Sequence, residues 1–360
     1  MPVKPLPSID AIEPYKGGES RLPGFDNPIK LASNENPLGC SPLAKQAYLK
    51  AAEKLALYPD GSAAALREAI ASRYGVDAGR IICGAGSDEI FQLLGRAYLA
   101  PGDEIIQSQY GFLVYRLVAQ QSGATTLSAP DKDFVVDIDA ILSLVSPRTK
   151  IVFIANPNNP TGTYIPFEDL KRLHAGLPEA VLLVIDAAYA EYVDANAYSS
   201  GLELAAEHDN VLMTRTFSKI HGLAALRLGW AFGPAAAITA LNKVRGPFNV
   251  SAPALAAGVA ALADQAFAVE SAAFNARQLK RVSEALVGLG YRVTPSVCNF
   301  LLLHCAPGGA GALDQHLRRH GLIVRAMGAY GLPDALRISI GAPTDNDALI
   351  AAVTAFKAAA

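Results

Sequence analysis

The sequence predicts an α/β protein with a mostly parallel central sheet flanked by helices, followed by a smaller α/β C-terminal subdomain. Continuous apolar runs such as Ile151–Ala155, Val181–Ile185 and Val211–Thr214 are typical of strands buried on both faces. Stretches of helical periodicity separate these runs, as in parallel sheets with helical crossovers. The 360 residues are 51% hydrophobic and 18% charged, which is enough for one large core and a second, smaller one.

The predicted elements follow one another along the chain in the order that such a sheet requires. Before Pro247 the predicted helices are Pro42–Leu57, Ala63–Tyr74, Asp88–Leu99, Gly111–Ser122 and Phe167–Gly176, with further strands at Ile81–Cys83, Glu104–Gln107 and Leu226–Phe232. After it, an Ala-rich helical region of roughly Ala252–Leu289 precedes the strands Tyr291–Val293, Asn299–His304 and Leu336–Ile340 and the helix Asp314–His320. We therefore expect an extended N-terminal arm (1–40), a large domain (41–250), a connecting helix (251–285) and a small C-terminal domain (286–360).

Composition excludes several classes of partner. A formal net charge of -2 argues against a general nucleic-acid surface, which needs a basic excess. The four cysteines have no CxxC spacing, so we expect reduced thiols and neither a metal site nor a disulfide framework. The start, MPVKPLPSID, lacks the apolar region of a signal peptide, and the apolar runs fall far short of the ~20 residues of a membrane span. These features predict a cytoplasmic protein without membrane or nucleic-acid partners.

Polar residues follow three of the predicted strands at the point where each strand ends. Asn159 follows Ile151–Ala155, Asp186 directly follows Val181–Ile185, and Lys219 comes shortly after Val211–Thr214. Ligands of open parallel sheets bind beyond the carboxyl ends of the strands, so these side chains are candidate site residues. Taken alone, Asp186 could equally be a helix N-cap or turn residue.

The segment around Lys219 also has the composition of an anion site. Thr216 and Ser218 supply hydroxyl donors, and Arg227 supplies a guanidinium eight residues beyond the lysine. A second candidate is the Gly-rich turn Gly84–Glu89, because backbone N–H groups at a helix start bind phosphate. The alternatives are a solvated loop lysine and a plain βα turn; a dinucleotide fingerprint fails because Glu89 occupies the third glycine position.

Together these pieces match the needs of one cofactor, pyridoxal phosphate. That cofactor requires a lysine for a Schiff base, a carboxylate near its pyridinium nitrogen, donors to its ring oxygen and a phosphate cradle. The chain offers Lys219, Asp186, Asn159 with Tyr189, and the group Ser87, Thr216, Ser218 and Arg227.

Longer stretches of the sequence resemble the fold-type I pyridoxal-phosphate-dependent aminotransferases, and among them the histidinol-phosphate aminotransferases. The matching segments span nearly the whole chain: LASNENPLG (Leu31–Gly39), YPDG (Tyr58–Gly61), GSDE (Gly86–Glu89), NPNNPTG (Asn156–Gly162), DAAY (Asp186–Tyr189), RTFSK (Arg215–Lys219), GPFNV (Gly246–Val250) and LRISIG (Leu336–Gly341). NPNNPTG with RTFSK indicates the fold and the cofactor, whereas NENP with PFNV favours the histidinol-phosphate branch.

The resemblance implies a role for each matching residue. Lys219 would hold the cofactor as a Schiff base and then shuttle protons, and Asp186 would keep the pyridinium nitrogen protonated. Asn159 and Tyr189 would hydrogen-bond the ring oxygen, and Tyr110 would stack on the ring. The cofactor phosphate would be bound by the Ser87 and Asp88 backbone together with Thr216, Ser218 and Arg227.

The remaining implied roles concern the partner subunit and the substrate. Tyr58 would reach the cofactor phosphate of the neighbouring subunit, which makes the site a property of a homodimer. Arg337, with Arg325 and Asn34, would bind the substrate anion, either the phosphate of histidinol phosphate or a carboxylate. The implied reaction is ping-pong, with 2-oxoglutarate and glutamate as the second pair.

Three other activities stay open on the sequence, and two positions depart from the family pattern. The alternatives are an aromatic amino acid aminotransferase, a same-fold lyase such as a threonine-phosphate decarboxylase, and a regulator with a borrowed aminotransferase domain. The last lacks support, because no N-terminal helix-turn-helix extension is seen. Ala187 replaces the glutamate of DEAY, a loss we expect to be tolerated because adjacent strand residues face opposite sides. Ser108-Gln109 replaces the PT of PTY before Tyr110.

Overall fold

The computed structural model describes residues 3–14 and 17–359. Its large sheet has the strand order β2-β8-β7-β6-β5-β3-β4, in which β8 alone runs in the direction opposite to the other six strands. The strands are β2 (Ile81–Gly84), β3 (Glu104–Ser108), β4 (Thr125–Ala129), β5 (Thr149–Ala155), β6 (Leu182–Asp186), β7 (Val211–Thr216) and β8 (Gly229–Phe232). The mostly parallel central sheet is thus confirmed.

Helices cover both faces of this sheet, which explains why its strands are apolar throughout. One face packs against α4 (Ser87–Tyr98), α5 (Leu113–Gln121) and α9 (Ala235–Val244). The opposite face packs against α2 (Pro42–Ala52), α3 (Ala64–Tyr74), α6 (Ile138–Ser143), α7 (Phe167–Gly176), α8 (Leu202–Glu207) and α10 (Ala252–Ala263). The carboxyl ends of β5, β6 and β7 are left open to a cavity.

The C-terminal part builds a second core on an antiparallel sheet with the order β12-β13-β10-β9. These strands are β9 (Arg292–Thr294), β10 (Phe300–His304), β12 (Arg325–Met327) and β13 (Leu332–Ser339). The helices α11 (Gln265–Gly288), α12 (Gly309–Arg319) and α13 (Pro343–Ala358) pack on it. Arg337 and Ser339 lie on β13, and Arg337 contacts Asn159 just beyond the end of β5 in the large sheet.

The Ala-rich region after Pro247 is not one helix, because the chain bends by 76° between α10 and α11. The break lies at Asp264, whose carboxylate accepts a hydrogen bond from the Phe267 amide and so caps α11. The same carboxylate accepts a 2.5 Å hydrogen bond from Ser41 Oγ, the N-cap of α2. The sequence predicted one helical region here because the apolar periodicity continues across Asp264, and a single aspartate within an Ala-rich stretch is a weak signal of a helix end.

The N-terminal segment is more structured than an extended arm. It contains the short helix α1 (Pro7–Asp10) and the strand β1 (Ile29–Lys30), which pairs in parallel with β11 (Leu322–Ile323). This pairing ties residues 29–30 to the C-terminal part, a contact between positions almost 300 residues apart. Within the described residues no single helix is long and apolar enough to cross a membrane, and α10 with α11 reach that length only as the bent pair.

Candidate active site

A cavity of about 290 Å³ opens at the carboxyl ends of the large sheet, below β13 of the small one. Topology alone brings its polar residues together, because β5, β6 and β7 all end at this edge. Twelve residues proposed from the sequence line it: Asn34, Ser87, Asp88, Asn159, Asp186, Tyr189, Thr216, Ser218, Lys219, Arg227, Arg325 and Arg337.

Lys219 projects into this cavity from the turn after β7. Its Nζ donates a 3.3 Å hydrogen bond to the Ser33 carbonyl and lies 5.7 Å from the centroid of the Tyr189 ring. Burial, together with the positive charge of Arg337, lowers the pKa of Lys219 to about 8. A sizeable fraction of this amine is therefore unprotonated near neutral pH, as a nucleophile or a base requires.

Asp186 ends β6 and is almost fully buried, at 6% exposure. Its carboxylate accepts hydrogen bonds from Tyr115 Oη at 2.6 Å and from Thr214 Oγ1 at 3.2 Å. Burial raises the pKa of Asp186 to about 6 although both hydrogen bonds oppose that rise. A carboxylate that is held at such a cost is suited to a cationic partner in the cavity.

The opposite side of the cavity is lined by donors. Arg227 Nη2 forms a 2.9 Å ion pair with Asp88, and Arg227 Nη1 lies 3.4 Å from Ser218 Oγ. Thr216 Oγ1 accepts a hydrogen bond from the Ser218 amide at 3.1 Å. Helix α4 begins at Ser87, so its first backbone N–H groups have no intrahelical acceptor. These groups form a cradle for an anion such as a phosphate.

Two glycines let the backbone come close enough to build this cradle. A Cβ on Gly229 would lie 2.4 Å from the Ser87 nitrogen, and one on Gly86 would lie 2.6 Å from Arg227 Nη2. Gly86 also has a φ of +80°, which side chains rarely adopt. Larger residues at either position would fill the space beside the α4 N-terminus.

Arg337 reaches the cavity from the C-terminal part of the chain. It is 8% exposed; its Nη1 donates to Asn159 Oδ1 at 2.6 Å and its Nη2 to the Ala32 carbonyl at 2.8 Å. Its Nε is buried without a hydrogen-bond partner in residues 3–14 and 17–359. A buried guanidinium with an unused donor is a ready partner for an anion.

Asn34 and Tyr189 close the wall between Arg337 and Lys219. Asn34 Nδ2 donates to Tyr189 Oη at 2.9 Å, and Asn34 Oδ1 accepts from Ser339 Oγ at 3.0 Å. Arg325 lies further out and donates to the Gly17 carbonyl at 2.7 Å. The N-terminal segment is therefore fixed between the two parts of the chain at the cavity mouth.

Tyr58 and Tyr110 are absent from the described lining of the cavity. The Tyr110 ring stacks on Phe134 with a centroid distance of 5.5 Å. Tyr58 is 83% exposed and stacks on Phe248 at 4.7 Å. Their predicted contacts with the cofactor remain predictions.

The sequence did not reveal the residues that hold the predicted site residues in place. Tyr115 and Thr214 orient Asp186. Asn34 is held by Ser339 and by Asn299, whose Nδ2 donates to the Asn34 backbone carbonyl at 2.9 Å. Tyr115 could have been noticed as a tyrosine within the apolar face of α5, but no spacing rule connects it to Asp186. Ala187 is fully buried in the core behind the sheet, where a glutamate would need a partner.

The cavity fits pyridoxal phosphate on its own donor set. One wall offers an amine of depressed pKa, a second offers a buried carboxylate for a ring cation, and a third offers the α4 N-terminus with hydroxyls and a guanidinium. Fold and site thus define a pyridoxal-phosphate-dependent transferase of fold type I.

Comparison with known proteins identifies the family. The family model for aminotransferase class I and II matches residues 26–356, so the chain belongs to that family. The chain is similar to the histidinol-phosphate aminotransferases of Maricaulis maris, 55% identical over 99% of both chains, and of Rhodopseudomonas palustris, 52% identical over 98% of both. The solved histidinol-phosphate aminotransferase from Sinorhizobium meliloti, in complex with pyridoxal-5'-phosphate, superposes with a TM-score of 0.92 at 28% identity, covering 98% of this chain and 97% of the other.

Proposed function

We propose that this chain is a pyridoxal-phosphate-dependent aminotransferase that moves an amino group between histidinol phosphate and 2-oxoglutarate in histidine biosynthesis. The observation that carries the proposal is the presence of Lys219 and Asp186 in the lining of one cavity. Full-length relatives at 52–55% identity that are named histidinol-phosphate aminotransferases support the substrate.

Lys219 and Asp186 divide the proton chemistry between them. The Lys219 amine would hold the bound cofactor and, once the substrate amine has displaced it, would take a proton from the substrate carbon and return it. Asp186 remains charged opposite a ring cation, and Tyr115 with Thr214 fix the orientation of its carboxylate. Bound pyridoxal phosphate would supply an aldehyde that accepts the amino group and a ring that withdraws electrons.

The remaining residues bind and orient. Ser87, Thr216, Ser218 and Arg227 would hold the cofactor phosphate, while Arg337 with Arg325 and Asn34 would hold the substrate anion. Asn159 is fixed by Arg337 at 2.6 Å, so binding at the guanidinium and the orientation of Asn159 are linked. Such positioning accounts for much of the acceleration that enzymes achieve with two reactants.

A half-reaction screen tests the substrate. Enzyme loaded with pyridoxal phosphate is mixed in turn with histidinol phosphate, phenylalanine, tyrosine and threonine phosphate, and the cofactor aldehyde absorbance is followed. We expect the largest apparent second-order rate constant for histidinol phosphate. A larger constant for phenylalanine or tyrosine would identify an aromatic aminotransferase, and release of carbon dioxide from threonine phosphate would identify a lyase.

We also propose that two copies of the chain form a homodimer in which each active site receives residues from both subunits. Apolar side chains are strongly exposed along α2 and the following loop, in a patch unusual for a monomer. The patch comprises Leu43, Leu49, Leu55, Leu57, Tyr58 and Phe248, which are 45–83% exposed. Tyr58 within this patch is free to contact a neighbouring subunit.

Hybrid dimers test the shared site. Lys219→Ala and Tyr58→Phe each damage both sites of their own homodimer. In a mixed dimer, one site combines Lys219 of one subunit with Tyr58 of the other. We expect mixed dimers to recover about half of the wild-type sites; no recovery would contradict sharing.

The cytoplasmic location predicted from the sequence remains a prediction.

A further inference from the structure

A series of hydrogen bonds connects the loop at the cofactor cradle with the loop that carries Tyr58. The phosphate loop, Gly84–Glu89, joins β2 to α4 and includes the first residues of α4 at the cofactor cradle. The Tyr58 loop, Tyr58–Gly61, carries the tyrosine at the exposed apolar patch. Between them lies Asn249, in the segment that joins α9 to α10.

On one side, Asn249 is bonded to the phosphate loop. Glu89 Oε2 accepts a hydrogen bond from the Ala85 amide at 2.6 Å and another from Asn249 Nδ2 at 2.7 Å. Asn249 Nδ2 also lies 3.2 Å from the Cys83 carbonyl, at the end of β2. A carboxylate that gathers two donors at such distances holds the loop closed, because charge-assisted hydrogen bonds are the stronger kind.

On the other side, Asn249 is connected to the Tyr58 loop through one arginine. Arg245 Nη1 donates to Asn249 Oδ1 at 3.2 Å, and Arg245 Nη2 donates to the Gly61 carbonyl at 2.7 Å. Arg245 Nε donates to Asn242 Oδ1 at 2.7 Å, which fixes the plane of the guanidinium. The Asn249 side chain thus contacts Glu89 of the phosphate loop through Nδ2, and Arg245, which holds the Tyr58 loop, through Oδ1.

Packing reinforces the polar connection. Phe248, adjacent to Asn249, has a φ of +54° and stacks on Tyr58 with the rings 22° apart. A Cβ on Gly61 would lie 3.3 Å from Phe248 Cδ1, so the glycine lets the aromatic ring approach the loop. An aromatic residue in left-handed conformation persists only where its surroundings hold it.

We propose that Asn249 is a positioning residue that couples the cofactor-phosphate loop of its own subunit to the Tyr58 loop offered to the partner's site. The inference rests on the proposed function, because it requires a cofactor phosphate in both sites and Tyr58 acting across the dimer. Order imposed on one loop by bound phosphate is passed to the other through Arg245 and Phe248. Such coupling is reciprocal, so either loop affects cofactor binding at both sites.

The test is a double-mutant cycle on cofactor affinity, measured by titrating the cofactor-free full-length protein with pyridoxal phosphate and following absorbance. Tyr58→Phe removes the hydroxyl and keeps the ring stack; we expect affinity to fall about tenfold, as for one hydrogen bond to a charged group. Arg245→Met cuts the connection at Gly61 and should weaken affinity about threefold to tenfold. The double variant should match Tyr58→Phe to within about twofold, because Arg245 acts through Tyr58.

Independent effects would overturn the proposal: if the two losses multiply in the double variant, Arg245 does not act through the Tyr58 loop. Asn249→Ala should weaken affinity at least as much as Arg245→Met and retain part of its effect beside Tyr58→Phe, through Glu89. Asn210→Ala is the matched control, since it removes amide contacts to the Val181 carbonyl and His174 far from both loops.

Other outcomes separate this proposal from the one it rests on. If Asn249→Ala binds pyridoxal phosphate as tightly as the control Asn210→Ala does, the coupling is overturned, but the proposed aminotransferase function is not. Wild-type affinity in Tyr58→Phe would refute the shared site and the coupling with it. A wild-type chain that binds no pyridoxal phosphate would refute the proposed function itself. Should Arg245→Met not fold, Asn249→Ala replaces it beside Tyr58→Phe; the combined loss should then be smaller than the product of the two single losses, and a full product would overturn the coupling.

Discussion

Replacement of Asp186 by asparagine should make the cofactor-free protein more stable while weakening its hold on the cofactor. The carboxylate is 6% exposed, and its pKa rises from 3.8 to about 6 on folding. Asparagine keeps an oxygen to accept from Tyr115 Oη, and its amide can donate to Thr214 Oγ1. The variant therefore preserves both contacts and removes the buried charge.

The size and pH range of the effect follow from the pKa shift. Because the folded chain binds the proton more tightly, wild-type stability falls as pH rises from about 4 to about 6. A rise in pKa from 3.8 to about 6 corresponds to about 3 kcal/mol, so asparagine should add up to about 3 kcal/mol to the free energy of unfolding above pH 7. Below pH 4 the carboxyl is neutral in both states, and the advantage should vanish.

Thermal unfolding of cofactor-free protein between pH 4.5 and 7.5 measures this difference. Trp230, the sole tryptophan of the chain, is buried on β8 and reports on the large domain by fluorescence. Asp209→Asn, at an exposed position, is the control. Added pyridoxal phosphate should raise the melting temperature of wild type more than that of the variant. A variant that is less stable than wild type at pH 7.5, or a difference in melting temperature that does not change with pH, would refute the burial of an uncompensated charge at Asp186.

Three further predictions concern the same cavity. Acetylation of Lys219 in the cofactor-free chain should have a midpoint near pH 8 by peptide mass spectrometry, because burial lowers its pKa to about 8; a midpoint near that of free lysine, about 10.4, would contradict the burial argument. Arg337→Ala should raise the substrate KM about 100-fold and leave pyridoxal-phosphate affinity within about threefold, as expected for loss of a buried charged partner; an equal loss of both would remove Arg337 from substrate binding. Gly86→Ala should weaken cofactor affinity more than tenfold, since its Cβ would lie 2.6 Å from Arg227 Nη2; unchanged affinity in a titration would show that the cradle does not depend on that approach.

The sheet was predictable because its strands carry a signal that needs no distant partner. Ile151–Ala155 and Val181–Ile185 are apolar on both faces, so their burial could be inferred locally. The same argument placed Asp186 and Lys219 at one edge, where the structure brings them together. The family resemblance extended this to Arg337, which the structure places in the cavity, and to Tyr58, whose contact with the partner's site stays a prediction.

The missing parts depend on contacts between remote residues. Strand β1 exists because β11 offers it a neighbour, and Pro-rich sequence alone favoured an extended arm. Tyr115 supports Asp186 from a helix 71 residues earlier, a pairing that periodicity cannot encode. The helix break at Asp264 depends likewise on Ser41, 223 residues away. Such residues stabilise the site through tertiary geometry, which single-sequence patterns do not record.

The cavity wall formed by Asn34 with Arg337 and Ser339 has a consequence for the order of synthesis on the ribosome. Asn34 and Ser339 are 305 positions apart, so Asn34 can take its place in this wall only after β13 has been synthesised. A nascent chain that has reached β8 already contains Lys219, Asp186 and the α4 cradle, yet β13 with Arg337 and Ser339 is still untranslated. The pocket is therefore completed only after β13 follows the strands that carry Lys219 and Asp186.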